Sequence, residues 1–128
     1  MHLSHGRASG KRSEQRTATF TGTVHMDPVL DAGSVTINTV IFTPGARTYW
    51  HSHPGGQLLI VTAGRGIVAS RAGAHIIGIG DVIWTEPDEE HWHGACGDTL
   101  MTHTAVSHGT TQWGAEVAEA AYSAASAG

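Results

Sequence analysis

The sequence has little that would support a membrane-spanning, secreted or cysteine-based protein. Cys96 is the single cysteine in 128 residues, which excludes an internal disulfide and a cysteine-rich zinc module. No apolar run approaches the roughly 18 residues that span a bilayer. Residues 1–10 are polar and lead into no apolar core of a secretory signal. Since one free thiol fits a reducing compartment, we expect a cytoplasmic protein.

Charged side chains are also scarce, and they are unevenly distributed. They make up 14% of the residues and give a formal net charge of −4. Four of the seven basic residues lie within residues 1–16, which leaves three basic residues against ten acidic ones in the rest of the chain. An acidic body repels nucleic-acid phosphates, so we expect neither a nucleic-acid nor a membrane partner, and a small molecule as the ligand.

Glycine and short runs of β-branched residues are abundant instead. From Thr17 onward, stretches rich in Val, Ile and Thr recur at intervals of about 8–12 residues and are separated by turn residues, a pattern of all-β sandwiches and barrels. Seventeen glycines supply many of the turns, and residues 64–66 (Gly-Arg-Gly) are predicted to form one of them.

Changes in composition and in apolar periodicity divide the chain into three segments. Residues 1–16 lack apolar periodicity and are predicted to be a flexible N-terminal arm. Residues 17–110 are predicted to form the β-barrel. Residues 111–128 are predicted to be a C-terminal helix and tail, because apolar residues recur at helical spacing across residues 112–125.

Ten histidines in so short a chain suggest a metal site, and their spacing identifies candidates. His51 and His53 are two residues apart on a predicted strand, so their side chains point to the same face. After the turn at residues 54–56 the chain can return and present the Gln57 amide oxygen, and His91 could supply a fourth donor. Three imidazoles and one oxygen suit Zn, Fe, Mn, Ni or Cu and leave positions open for water or substrate.

This stretch resembles the first motif of the cupin family, G-x5-H-x-H-x3-E-x6-G. Gly45, His51, His53 and Gly64 stand at the expected positions, and Gln57 stands where glutamate is usual. The resemblance implies an all-β cupin fold, a double-stranded β-helix or jelly-roll barrel, here followed by the short C-terminal helix.

Residues 80–95 resemble the second cupin motif, G-x5-P-x-G-x2-H-x3-N, less closely. Two positions match and three depart from it: Gly80 and His91 are present, whereas Glu86, Asp88 and Ala95 replace proline, glycine and asparagine. The second motif therefore supports the first rather than standing alone.

A narrower resemblance lies in residues 44–48, 50–54 and 91–95, which are similar to small bacterial manganese-dependent cupin hydroxynitrile lyases. That resemblance implies a divalent metal, Mn first with Fe, Zn and Ni as alternatives, and a homodimer or homotetramer. The metal ligands that it implies are His51, His53, Gln57 and His91. The same signature occurs in small cupins of other kinds, so it identifies a subfamily better than an activity.

Four further residues are expected to act on a substrate. His93 shares the strand face of His91, and His103 lies on the next strand. Both are candidate general acids or bases, because an ordinary histidine pKa near 6.5 suits proton transfer at neutral pH. Thr48 and Asn38 point into the barrel if the strand parities hold, and would orient a substrate hydroxyl.

Glutamine in place of glutamate indicates the type of chemistry. A carboxylate would cancel one unit of the ion's charge, whereas the Gln57 amide cancels none, so the full 2+ charge favours Lewis-acid work on a bound oxygen. The leading hypothesis is a metal-dependent lyase that cleaves cyanohydrins. The alternatives are a cupin dioxygenase or isomerase acting on a small metabolite, and a non-catalytic metal- or ligand-binding module.

Overall fold

The structure, a computed structural model, describes residues 1–127 of the chain. Within these residues the elements are β1 (Glu14–Arg16), β2 (Phe20–Thr21), β3 (Val24–Asp31), β4 (Val35–Phe42), β5 (Arg47–Thr48), β6 (His51–Ser52), β7 (Gln57–Ser70), β8 (Gly73–Gly78), β9 (Val82–Thr85), β10 (His91–Ala95), β11 (Met101–His108), β12 (Gln112–Trp113) and α1 (Glu119–Ala127).

The strands form two antiparallel sheets that together make a nearly closed barrel. The first sheet runs in the order β1-β3-β4-β11-β7-β9. The second contains β10, which pairs with β7, β5 and β6, while β2, β12 and β8 extend it. The predicted all-β barrel with a short C-terminal helix is thereby confirmed.

The strand β7 links the two sheets. It runs through residues 64–66, so the prediction of a turn there is wrong. The chain continues as one strand because its glycines let it bend without reversing. Gly64 has a φ of +72°, and a Cβ there would lie 1.7 Å from the Leu100 carbonyl oxygen. A Cβ at Gly66 would lie 2.3 Å from the Gly94 carbonyl oxygen. Before this bend β7 pairs with β11, and after it β7 pairs with β10.

The barrel begins inside the segment predicted to be a flexible arm. The last three residues of that segment form β1, which pairs with β3. Nearer the N-terminus, Arg7 forms an ion pair with Asp27 at 3.0 Å, and the Ala8 amide donates to the Pro28 carbonyl at 2.8 Å. Backbone pairing of this kind needs no apolar pattern, which is why the composition of the segment did not reveal it.

The predicted helix over residues 112–125 begins later, at Glu119. Its first residues instead form β12, in which Trp113 pairs with His51 of β6. Tertiary pairing overrides the helical spacing there, and Gly114 follows directly as a poor helix former. Residue 128, the end of the predicted tail, lies outside the described residues.

Buried apolar side chains form two separate clusters. The inner cluster fills the barrel and consists of Val24, Val40, Phe42, Ala46, Leu59, Val61, Val68, Ile77, Ala95, Met101 and Ala105. The outer cluster lies between the second sheet and α1 and consists of Ile67, Ala69, Trp92, Cys96, Val117 and Tyr122. The outer cluster therefore attaches the C-terminal segment to the barrel.

Two polar contacts reinforce that attachment. The Tyr122 hydroxyl donates to the Ala95 carbonyl at 2.7 Å. The buried Arg47 guanidinium donates to a Glu119 carboxylate oxygen at 2.9 Å and lies over the Tyr122 ring at 4.3 Å.

Across residues 1–127, the structure contains no helix that is long and apolar enough to span a bilayer.

Candidate metal centre

Strand pairing gathers the predicted ligands at one end of the barrel interior. His51 of β6 lies directly opposite His91 of β10, so their side chains project from neighbouring positions on one face. His93 follows two residues later on β10 and shares that face. His53 follows β6, and Gln57 opens β7 from the other sheet. All five side chains are buried.

The distances between these side chains would allow several of them to bind one metal ion. One ring nitrogen from each of His51, His91 and His93 lies within 4.8 Å of the others. The His53 ring lies 5.0 Å from that of His51 and 5.5 Å from that of His91, centroid to centroid. Gln57 Oε1 lies 3.0 Å from His91 Nε2. The four predicted ligands are thus brought together, and His93 joins them.

Two of the imidazoles are oriented by the same local device. His51 Nδ1 lies 2.9 Å from the Tyr49 carbonyl oxygen, and His91 Nδ1 lies 2.9 Å from the Glu89 carbonyl oxygen. A carbonyl can only accept, so each Nδ1 carries the proton and donates it. The Nε2 lone pairs are then free for a metal, and backbone acceptors of this kind fix the rings of metal-binding histidines.

The contact between Gln57 and His91 points to a shared cation. Gln57 Nε2 donates to Ser107 Oγ at 3.0 Å, and Gln57 Oε1 lies on the side that faces His91. With its proton on Nδ1, a neutral His91 presents a lone pair at Nε2, so two acceptors face each other at 3.0 Å. A bound cation between or beside these atoms would turn that unfavourable contact into coordination.

Burial keeps the imidazoles in their neutral, metal-binding form. The pKa of His53 is lowered to about 4, mainly by loss of solvation and also by repulsion between its imidazolium form and that of His91, while the neighbouring Gln57 side chain opposes the shift. Loss of solvation also lowers the pKa of His51 and of His91 below the ordinary histidine value. At neutral pH these nitrogens therefore have lone pairs available.

The residues present fit a divalent metal ion. His53 Nε2 and His93 Nε2 are buried without a hydrogen-bond partner, as expected of nitrogens reserved for a metal or a ligand. Imidazoles with one amide oxygen suit Mn, Fe, Zn or Ni, and this donor set does not select among them.

The two predicted catalytic histidines form a buried pair beside the metal ligands. His93 Nδ1 and His103 Nε2 are 2.9 Å apart, and the rings meet nearly edge to face at 4.7 Å. Loss of solvation lowers the pKa of His103 to about 4 and that of His93 well below its ordinary value. Both rings are therefore neutral at pH 7, and one must donate to the other.

A cavity of about 210 Å³ gives access to these groups. The predicted residues Asn38 and Thr48 line it, together with His51, His53, Gln57, His93 and His103. Thr48 Oγ1 accepts a hydrogen bond from the His93 amide at 3.2 Å, which fixes the hydroxyl beside the imidazole pair. The site therefore combines a polar inner end with room for a small molecule.

Several lining residues were missed by the sequence analysis. The missed set comprises Arg16, Phe20, Met26, Val40, Ala105, Ser107, Thr111 and Trp113. The alternation of β3 could have indicated Met26 and that of β11 could have indicated Ser107. Arg16 and Trp113 had been placed in the arm and the helix, so only the tertiary structure reveals them.

Comparisons with known proteins agree with this geometry. A family profile described as "Cupin domain" matches residues 38–107. An enzyme named (R)-mandelonitrile lyase, from Granulicella tundricola, is 53% identical over 91 residues, which cover 68% of this chain and 70% of that enzyme.

Solved structures give the same fold. A cupin-like protein from Thermotoga maritima is 37% identical, with a TM-score of 0.87 over 94% of this chain and 98% of that one. A predicted oxalate decarboxylase from the same organism is 20% identical, with a TM-score of 0.73 over 85% of this chain and 100% of that one, and supports the fold alone.

Proposed function

This chain belongs to the cupin family, and we propose that it is a metal-dependent lyase of the hydroxynitrile lyase type. The observation that carries the proposal is the buried cluster of His51, His53, Gln57 and His91, the first three of which line a cavity, in a chain 53% identical over 91 residues to an (R)-mandelonitrile lyase. The substrate would be a cyanohydrin, and the products would be an aldehyde or ketone and hydrogen cyanide.

The ligand set defines what a metal would contribute. His51, His53, Gln57 and His91 would hold it, and a ring nitrogen of His93 lies within 4.8 Å of those of His51 and His91. A divalent cation held by neutral ligands supplies Lewis acidity toward the hydroxyl oxygen of the substrate. Mn is the proposed ion, and Fe, Zn and Ni are the alternatives.

The protein's own residues would move the proton. We assign His93 the tautomer with Nδ1–H donating to His103 Nε2, because His93 Nε2 then has a free lone pair. Nε2 would accept the hydroxyl proton as the carbon–carbon bond breaks and the carbonyl forms. The electron pair of that bond leaves with cyanide, which takes the proton from Nε2 and departs as hydrogen cyanide.

The remaining cavity residues would hold the substrate. Thr48 keeps its own hydroxyl proton while it accepts from the His93 amide, so it can donate to a substrate oxygen. Asn38 lines the cavity and offers both donor and acceptor groups. The apolar substituent of the cyanohydrin would pack against Phe20, Met26 and Trp113, which line the same cavity.

The test is cyanide release from (R)-mandelonitrile by the purified protein. Activity should disappear on chelation and return with Mn, and parallel additions of Fe, Zn and Ni rank the metals. Heat-denatured protein corrects for spontaneous breakdown of the cyanohydrin. Oxygen uptake with small diols or diketones, in the absence of cyanide release, would instead favour a dioxygenase. Metal binding without turnover of any of these would leave a binding module.

We further propose that the protein forms a homodimer or homotetramer. Val82 and Trp84 of β9 are exposed apolar residues on one strand face, with Ile79 exposed just before the strand. Within the described residues β9 pairs with β7 alone, so one of its edges is open. Exposed apolar residues at a sheet edge favour association. Light scattering of the purified protein gives the mass, and a monomer at micromolar concentration would contradict the proposal.

A further inference from the structure

We infer that Arg16 binds a carboxylate on the substrate. The identity of the reacting group rests on the proposed function. The expectation of a carboxylate rests on the position and charge of Arg16. Arg16 belongs to the edge strand β1, and it lines the same cavity as three candidate metal ligands, His51, His53 and Gln57.

Strand register places the Arg16 side chain on the interior face of the first sheet. Arg16 lies opposite Val24, and Val24 lies opposite Phe42. Cross-strand partners project to the same face, and both Val24 and Phe42 are fully buried in the inner cluster. The Phe42 ring in turn packs against His93 and His103, at centroid distances of 5.8 Å and 5.2 Å. Arg16 therefore shares a face with the site.

The charges of the cavity make Arg16 distinctive. Of the described residues that line the cavity, none is an aspartate or glutamate, and Arg16 is the one that carries a fixed charge. A metal held by neutral ligands adds two further positive charges. Such a cavity attracts an anionic ligand.

Arg16 is available for a ligand because its present partner holds it weakly. Arg16 Nη1 lies 3.1 Å from Glu14 Oε2, and the two side chains are 40% and 49% exposed. Ion pairs this open to water contribute little, so a substrate carboxylate can compete with Glu14. A guanidinium also matches a carboxylate with two parallel hydrogen bonds. Apolar groups such as Phe20 and Trp113 line the cavity as well, so the ligand class is an aryl or alkyl cyanohydrin bearing a carboxylate.

The experiment compares two product-like aldehydes that differ in charge and hardly in shape. Isothermal titration calorimetry of the Mn-loaded protein measures Kd for 4-formylbenzoate and for 4-formylbenzamide. The wild type should prefer the carboxylate by about fivefold to tenfold, and the preference should shrink at high salt. Arg16→Gln should bring the ratio to about one, whereas Arg16→Lys should retain part of it.

Glu14→Gln provides a test of opposite sign at the neighbouring position. Removal of the competing carboxylate should increase the preference for 4-formylbenzoate. Arg12→Gln, a change at an exposed arginine outside the cavity, is the matched control and should leave the ratio as in the wild type.

The outcomes separate the inference from the proposed function. A preference that persists in Arg16→Gln would mean that the metal alone attracts the carboxylate, and would overturn the inference. Equal affinity for both aldehydes in the wild type would overturn it too, and would leave Arg16 as a charge that keeps the edge strand from pairing. Binding of neither aldehyde, together with no cyanide release from mandelonitrile, would overturn the proposed function itself.

Discussion

The two faces of β10 show how one strand serves two different purposes. His91 and His93 point into the barrel, where their ring nitrogens contact other polar groups. Trp92, between them, points the other way into the outer cluster, where it packs against Tyr122 of α1. All five residues of β10 are buried, so both faces are covered.

The two environments differ in what burial costs. The outer cluster is apolar, so removing it from water stabilises the fold directly. The imidazole cluster is polar, and nitrogens such as His53 Nε2 are buried without a partner. Burying such atoms costs stability unless a ligand satisfies them. The outer face therefore stabilises the position of the strand. The inner face contributes less to stability unless a ligand binds its buried nitrogens.

The largest expected effect comes from breaking the inner face. His91→Ala should reduce metal-dependent cyanide release by about a thousandfold, because the Lewis-acid contribution of several kcal/mol is lost with the metal. Metal content and cyanide release are measured together. His75→Ala, an exposed histidine outside the cluster, is the control. Full activity in metal-free His91→Ala protein would contradict the proposed site.

Breaking the outer face should affect stability rather than chemistry. Trp92→Ala should lower the free energy of unfolding by about 3–5 kcal/mol, because it removes the largest fully buried side chain. Trp84→Ala, at a tryptophan that is 46% exposed, should cost less than about 1 kcal/mol. Urea denaturation measures both. Equal losses for the two variants would show that the outer cluster does not anchor the strand.

Acid should destabilise the inner face, where the buried imidazoles lie. The pKa values of His53 and His103 fall from 6.5 in the unfolded chain to about 4 in the folded one, mainly through burial. Between these values the unfolded chain binds more protons, so stability present above pH 6.5 is lost as the pH falls toward 4.

The metal-free protein should lose a few kcal/mol over that interval, as judged by denaturant unfolding at each pH. His103→Phe, which keeps a buried ring of similar size, should give a shallower slope. A flat profile between pH 6.5 and 4.5 in the wild type would show that the imidazoles are not held neutral by burial.

The smallest expected effect is on the free energy of unfolding and concerns the attachment of α1. Tyr122→Phe removes the hydroxyl that donates to the Ala95 carbonyl at 2.7 Å and should lower the free energy of unfolding by about 1 kcal/mol. Tyr49→Phe is the control, since its hydroxyl makes no hydrogen bond to the described part of the chain. Cyanide release should be unchanged in both variants. A loss of cyanide release in Tyr122→Phe alone would show that the helix influences the site.

Local patterns were sufficient to predict most of the barrel. Composition and spacing predicted strands such as β4 and β11, because runs rich in Val, Ile and Thr suit a pleated sheet. The pattern failed at β7, where the glycines bend a continuous strand between sheets. It failed again at β12, where pairing with His51 outweighs the helical spacing around Trp113. In both cases the deciding partner is distant in sequence.

The candidate site divides in the same way. The spacing of His51, His53 and Gln57 could be interpreted from the sequence, because residues on one strand and across one turn keep fixed relations. The sequence predicted only that His93 and His103 lie near the same site. Their 2.9 Å contact depends on the registers with which β10 and β11, on different sheets, pair with β7.

The sequence by itself determined which donors are available and that they sit on an all-β chain. His51, His53 and Gln57 lie close together in the sequence at strand and turn spacing, and they offer donors that suit a divalent metal. Only the tertiary structure decided which rings meet, that the Trp113 ring lies at a tilt beside the His51 ring with 4.8 Å between centroids, and that Arg16 lines the cavity. The reason is that strand pairing joins segments far apart in the chain, and its register follows from the packing of the whole barrel.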